Sequence, residues 1–280
     1  LTVPAWSSLP PVPAACCKLD AGGYGSVPVD DSDPHGAEPL VDLGGHGLAG
    51  ENYYVRTDGG NAPYNRAIQG HVNGLWARRS VAEKLVRVNR GLHDWGFRLF
   101  VWDAYRPPEC QQGLWDFWWA QALEELPGAD DATIRARVLE FVSDPSRFDP
   151  DDPTTIPTHA TGAAIDLTLQ HLDRGALAEM GAGFDEMSPR AASDHYERAL
   201  ARGEIASDDP RLLHRRLLHH AMRAAGFVNY PPEFWHFDWG NQMYVRNLAA
   251  IGGDAPRAAW YGYIRPPGGE IRTLSEPGER

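Results

Sequence analysis

Cysteine is scarce: the 280 residues contain only Cys16, Cys17 and Cys110. An odd count with two neighbours in sequence is poor material for a disulfide framework. A reducing, cytoplasmic setting is therefore the expectation. No charged-then-apolar signal pattern opens the sequence, although a leader removed beforehand would leave no mark. Lysine is also scarce, occurring only at Lys18 and Lys84, and the arginines that carry the positive charge are scattered under a net charge of −12. A nucleic-acid partner would call for a concentrated basic face, so none is expected. No apolar run approaches the roughly 18 residues of a membrane helix, which argues against a membrane partner. Internal repeats are absent, and the glycine clusters Gly22-Gly23-Tyr24-Gly25 and Gly44-Gly45 lack the strand-and-helix context of a phosphate loop.

What is present is the composition of a globular chain, 42% apolar and 23% charged, long enough to bury a core of its own. Residues 1–48 are rich in Pro, Gly and Asp and read as an irregular N-terminal extension, leaving 49–280 as the catalytic domain. Glu51 to Arg56 reads as a strand. A capping-box match at Ser80-Val81-Ala82-Glu83 precedes Val81, Leu85, Val88 and Leu92 at helical spacing, with Gly96 as the stop. Phe97 to Trp102 is a near-continuous apolar run and reads as a buried strand. Helices are expected from Pro107-Pro108 to about Leu126 and from about Asp131 to Val142, with an exposed loop over 148–153. The segment 163–169 alternates as a strand with Ile165, Leu167 and Leu169 on the core face. A helix over 209–225 carries Leu213, Leu217, Ala221 and Ala224 on one stripe, and Trp235 to Trp239 forms a last strand. Helices grouped among strands without strict alternation indicate an α+β fold: one compact domain, mainly an antiparallel sheet flanked by helices.

The chemistry lies in two segments. Thr158-His159-Ala160-Thr161-Gly162-Ala163-Ala164-Ile165-Asp166 offers an imidazole and a carboxylate, and Glu233-Phe234-Trp235-His236 offers another of each. Together they supply three protein ligands and a spare base, the inventory of a catalytic zinc site. One extended strand from 159 to 166 would hold its ends roughly 23 Å apart, at about 3.3 Å per residue. His159 and Asp166 can share an ion only if the chain folds back, and Gly162 is the natural pivot. His236 is the third candidate ligand and Glu233 the candidate general base; their i, i+3 spacing puts them on opposite faces of a regular strand, so a turn or bulge is expected there, helped by Pro231 and Pro232. Asp238 could share a strand face with His236 and hold its imidazole N–H, against the alternative of a surface aspartate. Arg106, at a strand-to-helix junction, could stabilise an oxyanion, against the alternative of a structural ion pair with Asp103. His214, His219 and His220 read as surface residues, His93, His171 and His195 as solitary, and Trp115, Phe117, Trp118 and Trp119 as helix packing.

With these residues in hand, the chain resembles the VanX-type D-alanyl-D-alanine dipeptidases, a family of zinc peptidases related to other peptidoglycan DD-peptidases. The resemblance spans roughly 50 to 245. Asp103-Ala104-Tyr105-Arg106-Pro107 is similar to the family's Asp-x-Tyr-Arg-Pro, and the segments at 159–169 and 233–236 to its metal and base-and-ligand segments. Met180-Gly181-Ala182-Gly183-Phe184-Asp185 resembles a Met-Gly-x-x-Phe-Asp motif. The resemblance implies one zinc ion on His159, Asp166 and His236, with Glu233 as base then acid and Arg106 as transition-state stabiliser. It further implies that Asp185 grips the free amine of a small dipeptide. Such an enzyme would serve in glycopeptide resistance or in cell-wall recycling. Pro157 and Thr161 depart from the family's serine and positively charged residue, so the dipeptide need not be D-Ala-D-Ala. Two histidines and a carboxylate also describe an oxidative site. The competing expectation is a repurposed metalloenzyme that hydroxylates a small amino acid with iron or copper; iron, cobalt and copper all stay open as the native metal. Oligomeric state is not legible.

Overall fold

A computed structural model describes residues 5–14 and 21–266; the Cys16–Cys17 pair lies outside them. The strands are β1 (Leu40–Asp42), β2 (Ala49–Gly50), β3 (Trp76–Arg78), β4 (Phe97–Asp103), β5 (Ala164–His171), β6 (Val228–Asn229) and β7 (His236–Asp238). The helices are α1 (Arg79–His93), α2 (Pro108–Glu125), α3 (Asp131–Val138), α4 (His195–Ala201), α5 (Pro210–Ala224) and α6 (Gln242–Ala250). A five-stranded sheet runs β2-β4-β5-β7-β6, antiparallel except for the parallel β2–β4 pair, and β1 pairs with β3 in a separate ribbon. This is the expected α+β arrangement in one domain.

β5 is the sheet's central strand, and seven of its eight residues are buried. The alternation that assigned Ile165, Leu167 and Leu169 to the core is correct, but the opposite face is closed too, by the site described below. In β4, Phe97, Leu99, Val101 and Asp103 form the buried row. α1 lays Val81, Ala82, Leu85, Val88 and Leu92 into the same core. Asn89 on that face accepts from the Leu99 backbone N–H at 2.8 Å. α2 starts with Pro108 at its first turn, where a missing N–H costs nothing.

Several expected elements come out differently. Residues 53–55 form a 3₁₀ turn, not a strand, because the Asn52 side chain accepts from Tyr54 N and caps it. α3 ends at Val138, four residues early; the chain then turns so that Phe141 stacks on Trp118 at 4.2 Å between centroids. The buried stripe of α5 is Leu212, Leu217, Leu218 and Met222, not one running from Leu213 to Ala224. The first residues of the chain body also lie earlier than 49. β1 is paired, and the buried Arg78 donates to the carbonyls of Gly36 (3.0 Å) and Glu38 (2.7 Å) as well as to Thr161 (2.8 Å) and Gly262 (3.1 Å). Arg215 clamps the carbonyls of Met180, Arg190 and Ala192 in the same way.

His214 is a buried residue rather than a surface one; its Nδ1 bonds to the Glu179 carbonyl at 2.9 Å. His219 is half-buried, with its Nδ1 shielded from solvent. Burial, with His220 and Arg223 adding repulsion, pushes its pKa down to about 4. Its folded value lies below the unfolded one, so its neutral form is compatible with the fold above about pH 6.5 and stability is lost as pH falls toward 4. We expect His219→Leu to remove on the order of 2 kcal/mol of that acid sensitivity. Urea midpoints at pH 7 and pH 4 measure it; parallel losses in variant and wild type would rule His219 out as the source.

Candidate metal centre

Sheet register builds the centre. A register shift between Val101 and Asp103 puts Asp103 opposite Asp166, and Asp166 is opposite His236 on the other neighbour. Asp103, Asp166 and His236 thus form one row across β4, β5 and β7. His159 arrives from the 3₁₀ turn Thr158–Thr161, which ends on Gly162 at φ 70°. This left-handed conformation favours glycine at the pivot, and a Cβ there would have to displace Leu40 Cδ2, 2.4 Å away.

These residues converge as anticipated. His159 Nε2 is 3.3 Å from His236 Nδ1 and 3.4 Å from Asp166 Oδ2, while His236 Nδ1 is 2.9 Å from Asp166 Oδ1. All three residues are buried and offer donor atoms within 4.8 Å of one another. Four ligands about 2.0–2.1 Å from a tetrahedral zinc sit roughly 3.3 Å from each other, which is the spacing seen here. The outward ring nitrogens are already occupied. His159 Nδ1 donates to the Ala104 carbonyl at 2.8 Å, and His236 Nε2 donates to Asp238 Oδ2 at 3.1 Å. Those bonds fix the tautomers so that the inward nitrogens present lone pairs. The donor set therefore fits a divalent metal ion.

Asp238 is fully buried and not a surface aspartate; its Oδ1 accepts from Thr158 Oγ1 (2.9 Å) and Asn241 Nδ2 (2.6 Å). Asp238→Asn is expected to weaken metal affinity about 10- to 100-fold by loosening the His236 tautomer. Competition against a chromophoric chelator measures it, and an unchanged affinity would refute the coupling.

Glu233 reaches the cluster as the turn expectation required. Its backbone N–H donates to the Tyr230 carbonyl at 3.0 Å, the His236 N–H donates to its carbonyl at 3.3 Å, and its Oε2 lies 3.9 Å from His236 Nδ1. Burial, with repulsion from Asp166 and Asp185, lifts its carboxyl to about 7. Arg106 makes the ion pair with Asp103 and also faces the triad. Its Nε donates to Asp103 Oδ2 at 2.8 Å, its Nη1 to Gln111 Oε1 at 3.1 Å and its Nη2 to Tyr54 Oη at 2.9 Å, while Nη2 is 3.6 Å from Asp166 Oδ2. Asp103, 1% exposed, is raised to about 7 by burial against the pull of Arg106.

Asp185 sits at φ 55°, a left-handed conformation that aspartate tolerates better than most residues. Its Oδ2 accepts from Tyr54 Oη (2.8 Å) and Tyr64 Oη (3.0 Å), and burial raises its pKa to about 6. The two tyrosines carried no sequence signal, and Tyr54 bridges Arg106 to Asp185. Metal cluster, Glu233, Arg106 and Asp185 all line one cavity of about 810 Å³, with Trp118 of the aromatic cluster also on its wall. Such an assembly can hold an ion and bind a cationic group at one end. It also places a proton acceptor and a fixed guanidinium beside the ion.

Comparison with known proteins gives a concordant result. The family model described as D-Ala-D-Ala dipeptidase matches residues 41–251. The D-alanyl-D-alanine dipeptidase of Streptomyces coelicolor is 34% identical over 188 residues, covering 65% of this chain and 85% of that protein. The D-alanyl-D-alanine dipeptidase of Synechocystis is 30% identical over 177 residues, covering 60% and 70%. Among solved structures, VanYB in complex with D-Alanine-D-Alanine aligns over 69% of this chain and 87% of that one, with a TM-score of 0.36 and 17% identity.

Proposed function

The chain belongs to the D-Ala-D-Ala dipeptidase family of metallopeptidases, and from that membership we propose a zinc-dependent dipeptidase that hydrolyses D-Ala-D-Ala or a closely related small dipeptide. The observation that carries the reading is the pairing of a His159–Asp166–His236 donor triad with a carboxylate, Glu233, beside it.

When bound by these three residues, zinc would supply Lewis acidity, polarising the scissile carbonyl and making water acidic enough to attack at neutral pH. The chain's own residues do the rest. Asp185, held by Tyr54 and Tyr64, takes the substrate's free ammonium and sets which bond lies beside the triad. Glu233, with a carboxyl raised to about 7, takes a proton from the attacking water and returns it to the leaving amine. Arg106, fixed by Asp103, Gln111 and Tyr54, presents its charge where the carbonyl oxygen becomes negative. Asp166, Asp185 and Asp103 are buried from water, which strengthens the charge interactions made there. An oxidative reading loses ground because it leaves a partly exposed glutamate, its carboxyl raised to about 7, beside the triad without a task.

Amine release from D-Ala-D-Ala by zinc-loaded protein, with L-Ala-L-Ala and acyl-D-Ala-D-Ala in parallel, tests the reading. Turnover confined to dipeptides with a free amine is expected. No turnover of any of them by protein shown to contain one zinc would overturn it.

A further inference from the structure

The two ends of the cavity have different origins. At one end stands Asp185 with its two tyrosines. At the other, past His236 on the side of Asp238, the wall is Tyr24, Gly25, Thr154, Pro157 and Thr158. Tyr24 and Gly25 precede residue 41, where the family match begins. This wall is therefore built in part by a segment outside the matched region.

The arm is seated firmly. Gln242 Nε2 donates to the carbonyls of Gly25 (3.3 Å) and Val27 (2.6 Å), and the Asp30 N–H donates to the Ala259 carbonyl at 2.7 Å. A Cβ on Gly25 would lie 2.4 Å from the Thr154 carbonyl oxygen, so only glycine allows the arm this close. The same approach puts the Tyr24 ring against the cavity.

The donors on this wall are mostly spent or missing. Pro157 has neither an N–H nor a hydroxyl, and Thr158 Oγ1 is committed to Asp238 at 2.9 Å. The Tyr24 hydroxyl oxygen interacts with the Thr158 backbone, but the bond it donates is long, 3.4 Å to the Ile156 carbonyl, beyond the range of a strong O–H···O bond and open to a better acceptor. Burial, reinforced by Asp238, pushes its pKa up to about 12, so it stays a neutral donor.

We infer that Tyr24 is a specificity-determining residue whose hydroxyl donates to the free α-carboxylate at the C-terminal end of the dipeptide. This rests on the dipeptidase reading, which places the substrate amine at Asp185 and so directs the carboxylate to the opposite end. The arm would then make the site selective for short peptides with an unblocked C-terminus.

Tyr24→Phe, which keeps the ring and its packing, is assayed on D-Ala-D-Ala and on its C-terminal amide, with thermal midpoints as a check on the fold. The expected result is a KM raised about tenfold or more for the free acid, since a hydrogen bond to a charged group is lost. On the free acid kcat stays within about twofold, and on the amide wild type and variant have the same KM. Equal effects on acid and amide, or no effect on either, would overturn the assignment of Tyr24 while leaving the dipeptidase reading standing. If the wild type turns over neither substrate, the dipeptidase reading fails and this inference falls with it.

Discussion

Glu233→Gln is expected to lower kcat on D-Ala-D-Ala by about 10³-fold, within the roughly 10²- to 10⁴-fold range of general acid–base catalysis. KM and bound metal should change little. Glutamine keeps the shape of the side chain and the turn that presents it, in which the Tyr230 carbonyl accepts from the residue 233 N–H and the 233 carbonyl accepts from the His236 N–H. What it cannot do is take a proton. The same substitution removes a half-buried carboxylate that is repelled by Asp166 and Asp185, so the folded protein should be no less stable than wild type. A base strained by its neighbours is the usual compromise between activity and stability at such a site. Steady-state kinetics, metal analysis and a thermal melt on one preparation separate the outcomes. Loss of metal along with activity would make Glu233 a ligand, and full activity in the variant would remove it from the mechanism.

The candidate site residues were legible in the sequence because they are locally patterned. His159 and Asp166 had to be folded back on each other by distance alone, and Gly162 does turn the chain between them at φ 70°. The Glu233–His236 turn was likewise implied by its spacing. What makes these residues into a centre was not legible, since it depends on partners brought in across the sheet. The Ala104 carbonyl that orients His159 and the opposition of Asp103 to Asp166 follow from register and one irregularity in β4. Tyr54 and Tyr64 lie more than 120 residues from the Asp185 they hold. The buried arginines were not legible for a similar reason. Arg78 and Arg215 satisfy their donors with backbone carbonyls from distant loops, and no pattern of neighbouring acids announces such a clamp. The error over residues 53–55 has a local cause: Asn52 capping prevailed over the strand propensity of Tyr-Tyr-Val.

Arg106→Lys is expected to lower kcat by about 10²- to 10³-fold, the scale seen when one oxyanion-stabilising donor is removed, with KM within a few-fold of wild type. The charge is kept, so the result bears on geometry. The guanidinium divides its donors among Asp103, Gln111 and Tyr54 at 2.8, 3.1 and 2.9 Å and lies over the Tyr54 ring, 4.8 Å from its centroid. A planar fork meets those partners while keeping an N–H edge toward the metal triad; a lysine ammonium is a single point that would be drawn to one of them. Asp103 is the strongest attractor, because it is buried and, among the described residues, its Oδ1 has no hydrogen-bond partner. An ammonium captured there would neutralise Asp103 and preserve most of the stability, yet withdraw positive charge from the place where the carbonyl oxygen becomes negative. Arg106→Met, by contrast, would leave Asp103 buried and unpaired and should cost about 3–5 kcal/mol of stability as well. The two variants therefore split the roles of the residue. If Lys restores stability but not kcat, Arg106 acts on the transition state. If Lys restores both, the ion pair with Asp103 is its whole function, and the oxyanion must be stabilised elsewhere in the cavity.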